Sequence, residues 1–347
     1  MTNDLPVIPV TIIGGYLGAG KTTLLNSLLL GDHGLRLAIL VNDFGSINLD
    51  VALIARHDGE TISLTNGCVC CSMADNLAIT LLELMGREAP PDHIVIEASG
   101  VADPRRIACY GAAHPRLRLD SLSVVADAET IRARLADKYV GELVMRQLLA
   151  ADLIILSKMD LIDEPERGCV RKFLRETVPH ARLLEARHGC LPPDLLLGAG
   201  ATGSRADAGM DAQYNQSAPV GEDHAAFSRA SFESDRPFDR ERLSATLESL
   251  PETVLRAKGV LYLADDGAQA FVLQKVGRRW TLERGRPWEG RSRRNQLVVI
   301  GTFGGLDAAQ LAEDFDSALA AELKVEQESQ GRRVQHANAV TAGLRHE

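Results

Sequence analysis

The N-terminal part of the chain alternates between short runs of apolar residues and longer segments in which apolar residues recur at helical spacing. The short runs are mostly apolar and show no regular alternation with polar residues, which indicates strands buried on both faces, as in a sheet covered by helices. This alternation predicts an α/β fold with a doubly wound, mostly parallel sheet, in which ligands bind at the carboxyl ends of the strands. The predicted strands are Val10–Ile13, Leu37–Val41, Ile62–Leu64, His93–Ile96, Leu122–Ala126, Leu153–Leu156 and Arg182–Leu184.

The C-terminal part of the chain has a different pattern. Residues 198–225 are mostly small and polar, which is typical of a flexible linker after a first domain of residues 1–197. Helical and strand-like segments then follow in mixed order, so we predict a smaller α+β domain over residues 226–324 and a disordered tail over residues 325–347. The predicted helices are Phe238–Leu250 and Leu306–Leu323, and the predicted strands are Gly259–Ala264, Ala270–Gln274, Arg279–Leu282 and Gln296–Ile300.

The first apolar run leads into a glycine-rich turn and then a helix, which is the setting of the P-loop of NTPases. Its pattern is Gly15-x-x-x-x-Gly20-Lys21-Thr22. Glycines allow successive backbone N–H groups to surround a phosphate, and the N-terminus of the helix adds positive charge. Lys21 would bind the β- and γ-phosphates and so act in catalysis, and the Thr22 hydroxyl would bind Mg²⁺. The predicted nucleotide-binding residues of the loop are Gly15, Gly18, Ala19, Gly20, Lys21, Thr22 and Thr23.

A second polar segment, Ser157-Lys158-Met159-Asp160, follows another apolar run. It resembles the Asn-Lys-x-Asp motif of GTPases, the alternative being a surface turn. The Asp160 carboxylate would accept hydrogen bonds from N1–H and the 2-amino group of guanine, a donor pair that adenine lacks. The stem of Lys158 would pack on the plane of the base. Ser157 stands where the motif usually has Asn, so one amide contact is either lost or replaced.

Two acidic residues stand after other predicted strands. Asp43 lies in the glycine-bearing segment 42–50, and Glu97 directly follows the run His93–Ile96. Either carboxylate is placed to contact Mg²⁺ or to polarise the attacking water, so both are candidate catalytic residues, and Asp43 is also a candidate ligand of a second metal. The structural alternatives are a turn cap at Asp43 and a helix cap at Glu97. Ser99 and Gly100 would approach the γ-phosphate through their backbone N–H groups.

Three of the six cysteines stand close together, at Cys68, Cys70 and Cys71. Thiolates are soft ligands that favour Zn²⁺ and other thiophilic ions, and three ligands leave a coordination position open, which suits transfer of the metal. The alternatives are buried thiols without a ligand role, or a disulfide between Cys68 and either Cys70 or Cys71. The other cysteines are scattered along the sequence and are not predicted to bind metal.

Composition excludes several classes of partner. A net charge of −9 without a basic block gives no support for nucleic-acid binding. No apolar run has the length of a transmembrane helix, and the N-terminus lacks the features of a secretory signal. We therefore expect a cytoplasmic protein with reduced cysteines and no membrane partner.

Taken together, the motifs resemble the CobW family of GTPases, which are related to the nickel chaperones of hydrogenase and urease maturation. The resemblance covers about residues 7–324 and rests on the P-loop, the Asn-Asp-Phe-Gly loop, Gly67–Cys71, Glu97–Gly100 and Ser157–Asp160. It implies a GTPase that acts as a metallochaperone, whose three clustered cysteines bind Zn²⁺ or Co²⁺ near the nucleotide. GTP would control release of the ion to a client metalloprotein, and the chaperone would be a monomer or a homodimer.

Three departures from the family pattern bear on this hypothesis. Asp43 stands where the family often has Glu, Ser157 replaces Asn, and the linker carries only His224 rather than a His-rich stretch. The last difference favours stoichiometric delivery over metal storage. Alternatives are a GTPase activator dedicated to one metalloenzyme, similar to nitrile-hydratase activators, a P-loop kinase of a small substrate, and a thiol redox sensor.

One stretch of the C-terminal part resembles the family's C-terminal domain and carries two cations, Arg256 and Lys258, beside Gly259. They would contact a partner or a phosphate, or they would lie at a solvated helix end.

Overall fold

A parallel sheet of seven strands forms the N-terminal part of the structure, which is a computed structural model. It describes residues 7–31, 34–41, 60–63, 72–112, 114–186, 188–198, 227–302 and 304–321. The strands are β1 (Ile8–Gly14), β2 (Leu37–Val41), β3 (Glu60–Ser63), β4 (His93–Glu97), β5 (Leu117–Asp127), β6 (Leu153–Ser157) and β7 (Arg182–Glu185). Their order is β3-β2-β4-β1-β5-β6-β7, and every neighbouring pair is parallel. The prediction of a doubly wound, mostly parallel sheet is confirmed.

Helices pack against this sheet and bury it on both faces. They are α1 (Lys21–Leu30), α2 (Ser72–Gly86), α3 (Pro104–Ala112), α4 (Ile131–Ala136), α5 (Gly141–Ala150), α6 (Glu164–Thr177) and α7 (Pro193–Leu197). Alternate residues of β1 enter different apolar clusters, with Val10 and Ile12 on one face and Ile13 on the other, where it joins Leu24 and Leu25 of α1. Burial on both faces explains why β1 is mostly apolar and why its one polar side chain, Thr11, is hydrogen-bonded.

A second, antiparallel sheet of five strands forms the C-terminal part. The strands are β8 (Phe227–Ser234), β9 (Val254–Tyr262), β10 (Gln269–Val276), β11 (Arg279–Pro287) and β12 (Asn295–Thr302), in the order β11-β10-β9-β12-β8. One face packs on α8 (Arg240–Ser249) and α9 (Ala308–Ser317) around an aromatic cluster of Phe232, Phe238 and Phe315. The prediction of a smaller α+β unit is confirmed.

The boundaries of several elements differ from those predicted. Both helices of the C-terminal part begin later than predicted, because Asp239 and Asp307 accept hydrogen bonds from the first turn and so cap it. The sequence did not predict β8, an edge strand in which exposed polar residues alternate with Ala230 and Phe232, so no apolar run marks it. β5 begins at Leu117, before the predicted run. The prediction started later because the first half of the strand contains charged residues, which interrupt the apolar pattern.

A buried ion pair joins the two sheets. Arg256, in β9, pairs with Asp120 of β5, and both side chains are almost completely buried. The guanidinium also donates to the carbonyl oxygen of Leu195 at 2.9 Å. Lys258 lies two residues further along β9, and burial lowers the pKa of its ammonium group. The expectation of a solvated helix end here is wrong, because both cations stand in a strand. The sequence alone also does not show that the partner of Arg256 lies on the other sheet.

A buried histidine lies near this pair at the start of β4. His93 is 1% exposed, and its Nε2 lies 2.9 Å from the hydroxyl of Thr11. That hydroxyl gives its only proton to the carbonyl oxygen of Leu196, so the His93 Nε2–H must be the donor to Thr11. Burial lowers the pKa of His93 to about 3, against the opposing effect of Asp120, so the imidazole is neutral in the folded protein.

Replacement of Arg256 by Met should destabilise the protein strongly. The variant leaves the Asp120 carboxylate buried without its partner, which costs about 3–5 kcal/mol of unfolding free energy. Thermal unfolding followed by circular dichroism measures the effect. Arg284→Met, at a pair with Asp266 where the arginine side chain is 75% exposed, is the control and should change stability by less than about 1 kcal/mol. Equal shifts for the two variants would contradict the assignment of a buried pair.

Stability should also depend on pH through His93. Its pKa is lower in the folded protein than the ordinary value of 6.5, so the unfolded chain binds the proton more readily. Stability should therefore be fully present above pH 6.5 and fall below it by about 1.4 kcal/mol per pH unit. His93→Gln retains an N–H donor for Thr11. Between pH 7 and pH 5, its free energy of unfolding should fall by about 2 kcal/mol less than that of the wild type, as measured by urea titration. The control is the half-buried His180, whose replacement by Gln should leave the wild-type profile unchanged.

Candidate nucleotide-binding site

The loop between β1 and α1 has a backbone that only glycine can form at two positions. Gly15 has φ of +135°, and a Cβ there would lie 2.4 Å from the carbonyl oxygen of Val125. Gly20, immediately before α1, has φ of +98°. The loop therefore lies directly on β5 and turns sharply into the helix, whose N-terminal N–H groups point toward it. This is the backbone arrangement that binds phosphate in a P-loop.

Two predicted catalytic residues lie close together at this loop. Lys21 is buried, its ammonium group donates to the carbonyl oxygen of Gly15 at 3.0 Å, and it lies 3.9 Å from Glu97 Oε1. Glu97 ends β4, the neighbour of β1 in the sheet, and its side chain is almost fully buried. The structure thus brings the cation for the phosphates and a carboxylate to one edge of the sheet. Thr22 follows in the first turn of α1 and is half-buried, whereas Thr23 is exposed.

Ser157 holds the P-loop against β6. Its hydroxyl donates to the carbonyl oxygen of Ala19 at 2.6 Å, and the oxygen of Ala126 lies further away at 3.3 Å. The side chain is buried, so this hydrogen bond is protected from water. The serine that departs from the Asn of the motif therefore makes a direct contact between the end of β6 and the P-loop.

The next residues form the predicted base-recognition segment. Lys158 has a left-handed backbone, φ of +57°, and its ammonium group donates to Asp127 Oδ2 at 2.7 Å. Sequence reasoning missed Asp127, although it ends a strand in the same way as Glu97. Asp160 stands in a single 3₁₀ turn, Met159–Leu161, with its carboxylate 45% exposed and therefore accessible to a ligand.

The loop after β7 approaches the same segment and was also missed. His188 Nδ1 lies 3.9 Å from Asp160 Oδ2. Gly189 has φ of +78°, and a Cβ there would lie 2.5 Å from Thr23 Cγ2. This loop therefore lies between the start of α1 and the base-recognition segment. A glycine five residues after the predicted strand Arg182–Leu184 was the only sequence signal for it.

A further missed residue is Gln147 of α5. It is 1% exposed, and its amide nitrogen donates to the carbonyl oxygens of Gly100 and Ala102, in the loop after Glu97. The sequence signal is weak, since it consists of one polar residue on the helix face that buries Val144.

The predicted ligands of the thiophilic metal, and one further acidic candidate, lie outside the described residues. These are Cys68, Cys70 and Cys71, together with Asp43, and their assignment stays a prediction. Within the described ranges, no group of three His, Cys, Asp or Glu side chains has an arrangement that would hold a metal ion. Cys109, Cys169 and Cys190 are exposed free thiols. No helix in the part of the chain that the structure describes is both long and apolar enough to cross a membrane.

A P-loop at the carboxyl edge of a parallel sheet, with the predicted base-recognition segment after β6, indicates a nucleotide-binding protein of the P-loop class. Residues 9–185 match the family described as CobW/HypB/UreG, nucleotide-binding domain, and residues 227–319 match the Cobalamin synthesis protein cobW C-terminal domain. The chain belongs to the CobW family and is a P-loop GTPase, which confirms the resemblance and the activity predicted from the sequence.

Several characterised proteins are similar to this chain. The zinc chaperone CobW of a Sinorhizobium species is 33% identical over 87% of this chain and 95% of its own length. The zinc chaperone YjiA of Escherichia coli (strain K12) is 30% identical over 85% of this chain and 94% of its own. The zinc-regulated GTPase metalloprotein activator 1 of Dictyostelium discoideum is 27% identical over 74% of this chain and 63% of its own.

Replacement of Ser157 by Ala should weaken binding of GDP and of a GTP analogue by a similar factor of about ten. The variant removes a buried hydrogen bond worth about 1–2 kcal/mol, and the P-loop that it holds binds the phosphates common to both nucleotides. Isothermal titration calorimetry measures both affinities. Ser123→Ala is the matched control, because Ser123 is a buried serine of β5 whose hydroxyl has no hydrogen-bond partner among the described residues. A wild-type affinity in Ser157→Ala would refute this role.

Proposed function

We propose that this protein is a GTP-hydrolysing metallochaperone. It binds Zn²⁺, or Co²⁺ as the second choice, at Cys68, Cys70 and Cys71 and delivers the ion to a client metalloprotein. The observation that carries the proposal is the position of the cysteines in the chain order: they stand in the segment that joins the carboxyl end of β3 to α2. Since all strands of this sheet are parallel, that segment starts from the edge that also carries the P-loop.

The similar proteins support the choice of metal. The Sinorhizobium and Escherichia coli relatives are zinc chaperones, and both match most of their own length to this chain. Three thiolates form a soft donor set that suits Zn²⁺ and leave a position free for transfer. The linker carries only His224, which supports stoichiometric delivery rather than storage.

The residues at the P-loop also fit Mg²⁺ as the ion that accompanies GTP. The half-buried Thr22 supplies a hydroxyl, and the buried carboxylate of Glu97 supplies the hard oxygen chemistry that Mg²⁺ prefers. When bound, Mg²⁺ would neutralise charge on the β- and γ-phosphates. Asp43 stays a second candidate, from sequence alone, for positioning the attacking water.

The protein groups each have a defined part in GTP hydrolysis. The Lys21 ammonium, now bonded to the Gly15 carbonyl oxygen, would move to the β- and γ-phosphate oxygens when GTP enters. Glu97 would then accept a hydrogen bond from the attacking water and orient it in line with the γ-phosphate. Asp160 would select guanine by accepting from N1–H and the 2-amino group, while Lys158, paired with Asp127, packs its stem on the base.

Binding of metal and nucleotide must be coupled if GTP controls delivery. Coupling is reciprocal, so GTP must change the affinity for metal by the same factor by which metal changes the affinity for GTP. Loss of the γ-phosphate would then lower the affinity for the ion and release it to the client.

A second candidate is a GTPase activator dedicated to one metalloenzyme, without delivery of free metal. The Dictyostelium relative, a zinc-regulated GTPase metalloprotein activator, favours it. In this case zinc would regulate the GTPase instead of being its cargo.

A competitive Zn²⁺ titration tests the chaperone proposal. The reduced protein, with Mg²⁺ present, is titrated against a chromophoric chelator in the presence of GDP and then of a non-hydrolysable GTP analogue. We expect binding about ten-fold tighter with the GTP analogue, a typical size for coupling between two sites. The gain should disappear in Cys68→Ser, Cys70→Ser and Cys71→Ser.

Cys169→Ser serves as the control, because Cys169 is an exposed thiol on α6 and should retain wild-type Zn²⁺ binding. Equal affinity in both nucleotide states would exclude the nucleotide-gated chaperone. The activator would then be the better assignment if a single dominant client were also captured.

A further inference from the structure

Gln147 is a buried polar residue in an apolar environment. It stands on α5 between Val144 and Leu148, both of which enter the core beneath the sheet. A buried carboxamide costs free energy unless it is hydrogen-bonded, so its contacts hold both the side chain and its partners in place.

The Gln147 side-chain amide donates both of its hydrogen bonds to one loop. Nε2 lies 3.0 Å from the carbonyl oxygen of Gly100 and 2.9 Å from that of Ala102, and it donates to both. Its Oε1 is buried and has no hydrogen-bond partner among the described residues. The side chain therefore acts through its donors alone.

The same loop is fixed on its other side by the P-loop. A Cβ on Gly100 would lie 2.6 Å from Leu17 Cδ2 and 2.9 Å from the Leu17 backbone nitrogen, so only glycine fits there. The loop also begins with a hydrogen bond from Ala98 N–H to the carbonyl oxygen of Ile13, at 2.8 Å. The backbone after Glu97 is thus held between the P-loop and α5.

We propose that Gln147 is a positioning residue for GTP hydrolysis. By holding the Gly100 and Ala102 carbonyl oxygens, it orients the backbone N–H groups of Ser99 and Gly100 toward the γ-phosphate and fixes the strand end that carries Glu97. The inference rests on the proposed function, because it needs the γ-phosphate to lie beside this loop. GDP has no γ-phosphate, so Gln147 contributes to binding of GTP and not of GDP.

Gln147→Met tests the proposal, because Met has a similar length and no donor. We expect kcat for GTP hydrolysis to fall about 30-fold and affinity for a non-hydrolysable GTP analogue about five-fold, whereas affinity for GDP stays within two-fold of the wild type. Gln147→Glu keeps the shape of the side chain but places carboxylate oxygens against the two carbonyl oxygens. Its kcat and its affinity for the GTP analogue should fall at least as much as in Gln147→Met. The readouts are single-turnover hydrolysis and calorimetric titration of each nucleotide.

Arg105→Met is the matched control. Arg105 Nη2, on α3, donates to the carbonyl oxygen of Arg146 on α5 at 3.1 Å, next to Gln147 but outside the loop. The variant removes a hydrogen bond between α5 and the chain that follows the loop, and we expect wild-type kcat and wild-type affinity for both nucleotides.

A variant on another element keeps the test decisive if Gln147→Met folds poorly. Gly100→Ala places a methyl group against Leu17 and displaces the loop from the P-loop side, so it should show the same selective loss of GTP analogue over GDP.

Equal loss of GTP-analogue and GDP affinity in Gln147→Met and Gly100→Ala, or unchanged kcat in both, would overturn the positioning role. A wild-type protein that hydrolyses no GTP would instead refute the proposed function, and the ratio of the two affinities would still decide the role of Gln147.

Discussion

The nucleotide site depends on the close contact between the P-loop backbone and β5. Gly15 lies so near the carbonyl oxygen of Val125 that no side chain fits between them. From this position the loop contacts two further parts of the sheet edge, since the Ala19 carbonyl oxygen accepts from Ser157 and Leu17 packs on Gly100. The predicted base-recognition segment and the loop after Glu97 are therefore both positioned by their contacts with the P-loop.

The sequence predicted the elements that are buried on both faces and the motifs that are local. Mostly apolar runs identified the central strands, and the spacing of glycines with Lys21 identified the P-loop. The edge strand β8 was missed because a half-exposed strand has no such run. The burial of Arg256 was also not predicted. An arginine looks the same in the sequence whether its side chain faces water or pairs with a carboxylate of another sheet.

The parts of the site that escaped prediction all depend on tertiary contacts. Ser157 departs from the GTPase motif, and only the structure shows that its hydroxyl reaches the Ala19 carbonyl oxygen. Gln147 reads as an isolated polar residue until its distance from the Gly100 carbonyl oxygen is known. Asp127 has a strand-end position like that of Glu97, but its role follows from the ion pair with Lys158. Such pairings join residues far apart in the sequence, where no local pattern records them.

One short segment contacts both the nucleotide site and the junction of the two sheets. At its start, His188 faces Asp160. In α7, the carbonyl oxygens of Leu195 and Leu196 accept hydrogen bonds from Arg256 and Thr11. These hydrogen bonds hold α7 against both sheets, because Thr11 stands in β1 and Arg256 stands in β9. The buried charge of Arg256 therefore does more than hold the second sheet, since it also fixes the chain that borders the base-recognition segment.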